Sequence, residues 1–579
     1  MIKISNLFKD YYLKEAKKLD WHIEPKIVFK KDKNNHYNWF PDGRINLYEN
    51  CITKNLKRKN KIAIVTVNQD KEIKKYSYRE IDKSVNKITS YLKKFSNKKK
   101  IKIMIHSSAS LESALLMLAC AKLGVHFSVI FEELEVIGIK NRIKLFKPNI
   151  FFSRLSQKKF FAKMKFKKYY KIKFFYKEDI KKILAQKKTL SNTKNVIVNS
   201  TNSLFTLFTS GSTGAPKGIT HSTGGYLLYS KLTCQNQFGI NQRSIVLTAS
   251  DAGWINGHTY SLFGPLSIGS TTILIEKPFL LIDIKLFKKI LSLKTTVVYL
   301  PVTLIRFIKS LNKNFNVKNK YIKSLGSMGE PLAPSVAKWF ANKFLKKNKS
   351  IINTYFQTET GGIICSPRYN QNINQAPHGS VGEPFSKYIK INKLKKKKVN
   401  EIKIMSPWPG MMKDVINGKT AWDNYWDKNE NFRLFDLATI KNRNIYIHGR
   451  NDDVVNVRGH RIGSEEIEST LLNIKKITEC CIVTLDDKLE GSKIYLFVVS
   501  NAKLDNQIEK IIISTFGTFA IPKKIFYVKQ IPKTRSGKIL RRLLRNMLIN
   551  PNLRNYGDIS TILNMDSLKN IQKLIKLND

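Results

Sequence analysis

An α/β protein, with a large N-terminal body of βα-rich lobes built on stacked sheets and a smaller α+β unit behind it, is the fold class that the sequence predicts. Three observations lead there. Between about Asn60 and Ile150 short apolar, β-branched runs alternate with segments of helical spacing; the same rhythm returns after Thr201; and a charged turn from Gly449 to Asp453 precedes a last stretch with its own helix and strands. Strands alternating with helices indicate parallel sheets covered on both faces.

Each element follows from its pattern. Lys61 to Val67, Ile101 to Ile105 and Val125 to Phe131 read as strands, and Tyr78 to Phe95 and Leu111 to Leu123 as helices. In the second lobe Ser244 to Ala249, Thr271 to Glu276 and Thr296 to Leu300 read as strands. Lys158 to Lys194, rich in lysine and poorly patterned, reads as surface between the lobes. Beyond the charged turn, Glu465 to Asn473 reads as a helix, Glu479 to Thr484 and Lys493 to Val499 as strands, and a basic helix closes the chain. The expected domains are 1–451 and 452–579. A chain of 579 residues is longer than one core supports, since single cores stop growing near about 250–300 residues.

The net charge is +60, from 103 Lys and Arg against 43 Asp and Glu. The lysines are spread along the whole length with Ile and Asn, whereas a nucleic-acid module concentrates charge on one element beside stacking aromatics; specific nucleic-acid binding is not expected. A field of this sign attracts anions such as nucleotides. The six cysteines show neither C-x-x-C pairing nor metal spacing to histidine, so free thiols are expected. The N-terminus lacks an apolar stretch and carries Asp10, Glu15 and Asp20, and no run of 18 uncharged apolar residues occurs; a cytoplasmic protein without a membrane span is the expectation.

The most informative segment is LFTSGSTGAPKGITHSTGGYLLY, from Leu207 to Tyr229. Its glycines let backbone N–H groups approach a polyanion and its hydroxyls add donors, so the loop is suited to phosphates. It lacks the G-x-x-x-x-G-K-[ST] pattern of a Walker loop.

Further strings follow in order: WFPDGRINLYENC from Trp39, DAGWINGHTYSLFGPL from Asp251, GEP at Gly329 to Pro331, YFQTETGG from Tyr355, GRNDDVVNVRGHRIGSEEIES from Gly449 and PKTRSGKILRR from Pro532. With these strings, from about Trp21 to its end, the chain resembles the adenylate-forming superfamily, and within it the AMP-forming acetyl-CoA and propionyl-CoA synthetases. The resemblance implies a ligase with ATP, Mg²⁺ and CoA, which turns a short acid such as acetate or propionate into acyl-CoA through an acyl-adenylate. Another small hydroxy or oxo acid is the alternative substrate, and a basic binding protein on a degenerate synthetase scaffold the alternative function.

The roles of residues come from the same resemblance. Ser210, Ser212, Thr213 and Lys217 would hold the β- and γ-phosphates, Thr358 the α-phosphate, and Glu359 the Mg²⁺. Gly329, Glu330 and Pro331, with Asn353, Thr354, Tyr355, Phe356 and Gln357, would wall the adenine; Asn353 replaces the family's aspartate. Asp436 and, fourteen residues on, Arg450 would grip the ribose. Lys538 would bridge acid and phosphate during adenylation, and a lysine acetyltransferase and deacetylase acting there are the macromolecular partners implied. Asp452 matches the hinge about which a mobile C-terminal domain swings. That motion would bring in Arg461 near the phosphates and Gly459 along the pantetheine tunnel, with Arg458 where the family has a small residue. Ile255, Asn256, Met328 and Phe356 would line the acyl pocket, Asn256 also facing CoA. Phe356 stands where acetyl-CoA synthetases have tryptophan, which implies that propionate is used at a rate comparable to acetate.

Overall fold

The computed structural model describes residues 5–58, 60–95, 101–132, 134, 136–154, 172–186, 193–210, 216–311, 319–345, 348–395, 399–416, 419–450, 454–457, 460–487, 491–534, 539–553, 562 and 564–577. The expected rhythm of strand and helix builds two seven-stranded sheets. The first runs Lys173–Tyr176, Ile150–Ser153, Lys102–His106, His126–Ile130, Ser203–Ser210, Pro216–Ser222, Asp414–Ile416. The second runs Ile352–Asn353, Ser324–Met328, Val297–Pro301, Ile245–Thr248, Thr271–Ile275, Ile62–Val67, Ile73–Ser77.

Both sheets are parallel through their centres and antiparallel at one margin, so the expectation of parallel sheets is corrected to mixed ones. The margins are hairpins. Ile62–Val67 turns back tightly into Ile73–Ser77, and Ser203–Ser210 returns as Pro216–Ser222, because short connections join only antiparallel neighbours. A second correction concerns the lysine-rich stretch. Its described part holds the edge strand Lys173–Tyr176 and the helix Lys177–Ala185, which bury Phe175, Ile180 and Ile183 while their lysines face outward.

Local chemistry fixes the helices. Tyr78–Lys93 starts with a capping box, in which Ser77 N–H donates to Glu80 Oε2 at 2.7 Å and Glu80 N–H to Ser77 Oγ at 3.2 Å. Leu111–Leu123 is apolar on all sides and correspondingly buried from Ser113 onward, and it ends on Gly124 in the left-handed region, φ 63°. At the carboxyl ends of the strands Arg154 ties the two sheets together: its guanidinium donates to Glu132, behind His126–Ile130, at 3.1 Å and to Glu276, behind Thr271–Ile275, at 2.5 Å. A buried guanidinium without such partners would cost several kcal/mol.

A three-stranded antiparallel sheet, Asn400–Ile404, Phe432–Lys441 and Asn444–Arg450, follows. Past it, Glu479–Asp487, Gly491–Val499 and Lys524–Tyr527 form another sheet, and its two apolar clusters draw only on residues from Ile467 to Ile575. Two helices, Arg541–Ile549 and Met565–Lys576, close the chain where one was expected. All six cysteines are buried, and no disulfide joins them. Among the described residues no helix is long and apolar enough to cross a membrane.

Candidate active site

Three of the motifs, beginning at Asp251, Gly329 and Tyr355, follow the carboxyl ends of the second sheet's strands, the usual place for ligands in open α/β sheets. Ser324–Met328 ends at Met328 and turns through Gly329, whose φ of 90° lies where side chains other than glycine are strained. Ile352–Asn353 runs on into the segment from Thr354 to Ile363.

That segment has little regular structure, yet each main-chain carbonyl from Thr358 to Ile363 receives a donor. His221 Nε2–H donates to Thr358 O at 2.8 Å, Met412 N–H to Glu359 O at 2.8 Å, and Trp408 Nε1–H to Thr360 O at 2.9 Å. Thr259 Oγ1 donates to Gly361 O at 3.0 Å, Thr360 Oγ1 to Gly362 O at 2.9 Å, and Tyr229 O–H to Ile363 O at 2.5 Å. Buried carbonyls need such partners. Gly361, at φ 69°, admits no side chain, since a Cβ there would lie 2.0 Å from Gly410 O. His221 is held neutral, because full burial pushes its pKa down to about 4.

So anchored, the segment presents Thr358 and Glu359. Glu359 is buried; its Oε1 accepts from Tyr425 O–H at 2.7 Å, and Oε2 has no partner among the described residues. The ammonium of Lys217 lies 5.5 Å from the centre of the same Tyr425 ring. Lys217 stands on Pro216–Ser222 opposite Thr209, and Ser210 ends the partner strand, so the two strands flank the Gly/Ser/Thr string. Ser212 and Thr213 lie outside the described residues.

Asp436 Oδ2 accepts from Tyr355 O–H and from Gln357 Nε2–H, both at 2.7 Å. Arg450 pairs with Asp436 across the antiparallel ladder, which brings the two expected ribose contacts side by side. The ladder is irregular there, and the preceding Phe435 has φ 57°, a rare conformation for a bulky residue. On the GEP turn Glu330 is held by Thr303 and by Arg306, 2.9 Å away, and Pro331 O accepts from Arg306 at 3.5 Å. Asn353 has both halves of its amide engaged in the scaffold, with Ser327 at 3.0 Å and Ser380 O at 3.1 Å. Thr354 is fixed likewise, by Ser327 O at 2.8 Å and the Tyr299 hydroxyl at 2.6 Å.

The proposed acyl wall is assembled differently. Asn256, only 7% exposed, directs Nδ2 at Met328 Sδ, and its Oδ1 is buried without a partner. Met328 is buried with Tyr260 and Tyr299; Phe356 packs on them, its ring 5.9 Å from Tyr260. Ile255 is buried one residue before Asn256 in a neighbouring cluster that Phe356 also touches. A π-helical turn, Thr259–Phe263, follows directly; such turns often occur at functional sites.

In the C-terminal part Arg461 lies on His460–Gly463, paired with Val454–Val457. Asp452, Arg458, Gly459 and Lys538 lie outside the described residues; an antiparallel bridge between Lys533 and Ile539 flanks the Lys538 segment. Tyr425, His221, Trp408, Tyr229 and Thr259 were not among the site residues expected from sequence. Only the histidine and tyrosine inside the Leu207–Tyr229 string, and the threonine inside the Asp251 string, carried any signal.

Models of known families match most of the chain. Residues 53–406 match the family described as AMP-binding enzyme, residues 466–538 the AMP-binding enzyme C-terminal domain, and residues 5–51 the acetyl-coenzyme A synthetase N-terminus. An acetyl-coenzyme A synthetase of Helicobacter pylori is 30% identical over 97% of this chain and 92% of its own length. Acetyl-coenzyme A synthetase 2 of Candida albicans is 31% identical over 93% and 87%. Among solved structures, an acetoacetyl-CoA synthetase from Streptomyces lividans superposes with a TM-score of 0.84 at 17% identity, covering 99% of this chain and 92% of that one. An anthranilate CoA ligase in complex with anthranoyl-AMP does so at 0.75 and 18%, over 87% and 97%; these two establish likeness of fold. The chain belongs to the AMP-binding enzymes, in the family of the acetyl-coenzyme A synthetases.

Proposed function

We propose that this chain is an AMP-forming ligase that converts a short carboxylic acid, acetate or propionate, with ATP and CoA to acyl-CoA, AMP and pyrophosphate. One observation carries the reading: an anchored segment presents Thr358 and Glu359 between a hairpin lysine, Lys217, and the Asp436–Arg450 pair. That order of groups suits phosphates at one end of a nucleotide and a ribose diol at the other.

In the first step a carboxylate oxygen of the acid attacks the α-phosphorus of ATP, and the bond to the bridging oxygen breaks to release pyrophosphate. In the second the CoA thiolate attacks the acyl carbon, and the bond to AMP breaks. Glu359 is a carboxylate with one oxygen engaged and the other without a described partner, a donor that fits Mg²⁺. When bound, the cation neutralises phosphate charge. Lys217, with Ser210, Ser212 and Thr213, holds the outer phosphates, Thr358 the inner one. Lys538 serves the first step, and a swing of residues 452–579 about Asp452 replaces it with the Asn456–Arg461 loop, including Arg458 and Gly459, for the second.

A second reading rests on Asn256. Its orphaned Oδ1 favours an acid that carries a hydroxyl, because a buried acceptor regains a hydrogen bond only from a donor.

The test is acid-dependent exchange of labelled pyrophosphate into ATP across acids of two to six carbons, including hydroxylated ones. Exchange with two- and three-carbon acids is expected. Exchange with none of them overturns the reading. Lys538→Ala should abolish this exchange yet keep thioester formation from supplied acyl-adenylate; equal loss of both counts against the swing.

A further inference from the structure

Tyr425 stands 66 residues from Glu359 in sequence and outside every motif that marks the site, yet it touches both charged groups of the phosphate end. It is buried, with its ring stacked on Phe432 at an interplanar angle of 10° and edge-on to Phe435, so its position is set by packing. Its hydroxyl donates to Glu359 Oε1, and its face attracts the Lys217 ammonium. The ammonium thus meets the ring and the carboxylate meets the hydroxyl, so the two opposite charges contact different parts of one side chain. A direct pair between them would mask the groups that must meet cation and phosphate.

From this we infer that Tyr425 is the positioning residue of the phosphate end. Its O–H orients the Glu359 carboxylate with Oε2 turned to the metal, and its ring holds Lys217 apart from that carboxylate. The inference rests on the proposed reading of the site as one for MgATP. Donors that orient a metal ligand typically matter about 10–100-fold in metal affinity.

Calorimetry with the full chain separates the two roles without requiring turnover. Binding of ATP is measured over a range of Mg²⁺ concentrations, and again in EDTA. Tyr425→Phe keeps ring and packing and removes only the donor. It should raise the Mg²⁺ concentration that half-saturates the enhancement of binding by about 10–100-fold, with metal-free ATP binding unchanged. Tyr425→Leu removes the ring as well and should weaken metal-free binding too, as Lys217 pairs with Glu359. In a Glu359→Gln background Tyr425→Phe should add nothing, as expected of two residues that act through one contact. Unchanged Mg²⁺ dependence in a folded Tyr425→Phe overturns the inference, as does an additive loss in the double variant. A wild type that binds no MgATP overturns the proposed function and this inference with it, an outcome distinct from the other two.

Discussion

At the proposed nucleotide end, the main-chain carbonyls from Thr358 to Ile363 are each captured by a donor from another part of the chain or from a neighbouring turn. At the proposed acyl end Ile255, Met328 and Phe356 are held by apolar contact, and Asn256 Oδ1 is left without a partner among the described residues. The difference is one of tolerance. Hydrogen bonds are directional and costly to leave unmade, so the nucleotide end admits few alternatives. Apolar walls accept volume-conserving exchanges at small cost, so the acyl end can be retuned while the fold and the first chemical step stay intact.

The strongest challenge to this contrast is Glu359→Gln, which keeps the shape of the segment and removes its charge. A fall of about 10²–10³-fold in kcat with unchanged stability is expected, in line with the loss of one preorganised electrostatic group. A kcat close to wild type would put the charge requirement elsewhere.

Acid should weaken the same end through His221. Its pKa is pushed down by burial to about 4 in the folded chain, against 6.5 ordinarily, so between these values the unfolded chain binds the additional proton. The stability that neutral His221 contributes is therefore complete above pH 6.5 and is lost progressively down to about pH 4, at up to about 1.4 kcal/mol per pH unit. Urea unfolding from pH 7 to 5 should show a pH slope about one proton smaller in His221→Gln. Equal slopes would mean that the buried imidazole is not what acid attacks.

Trp408→Phe probes a single anchor and should cost about 1–3 kcal/mol by leaving Thr360 O buried and unbonded. Thermal unfolding reads this directly, and a melting temperature within error of wild type would show that the anchors are redundant.

The smallest effects belong to the acyl end. Phe356→Gly should move the preference in kcat/KM toward acids of four to six carbons, at about 1–3 kcal/mol of discrimination per methylene. Pyrophosphate exchange with the best acid should stay near the wild-type rate. An unchanged acid profile would remove Phe356 from the pocket.

The sequence made the frame of both ends visible for different reasons. Val297–Pro301, read from sequence as Thr296 to Leu300, has a strand on each side and is a plain apolar run, whereas Ser324–Met328, with two serines and a glycine, was not read as a strand. Lys173–Tyr176 and Lys177–Ala185 were obscured because an edge strand and a surface helix need few apolar residues, here Phe175, Ile180 and Ile183 among lysines. The packing of Phe8 and Tyr12, on the helix Asn6–Ala16, against Trp39 was missed as well; Trp39 ends a strand of three residues, too short to display a period.

The family resemblance implied one site for Lys217, Glu359, Asp436 and Arg450; in the structure Tyr425 contacts both Lys217 and Glu359, and Asp436 and Arg450 are partners across a ladder. The anchors were not legible. Trp408 reaches Thr360 across 48 residues and Tyr425 reaches Glu359 across 66, and an indole or phenol in a loop announces no partner. Asn353 shows the converse, a motif residue whose amide serves the scaffold.

The central claim is that the nucleotide end performs adenylation, with AMP as the leaving group of the second step. Mass spectrometry of the products from a short acid, ATP, Mg²⁺ and CoA tests it most directly. Acyl-CoA and AMP in equal amounts, with pyrophosphate, are predicted; acyl-CoA accompanied by ADP and phosphate would contradict the account.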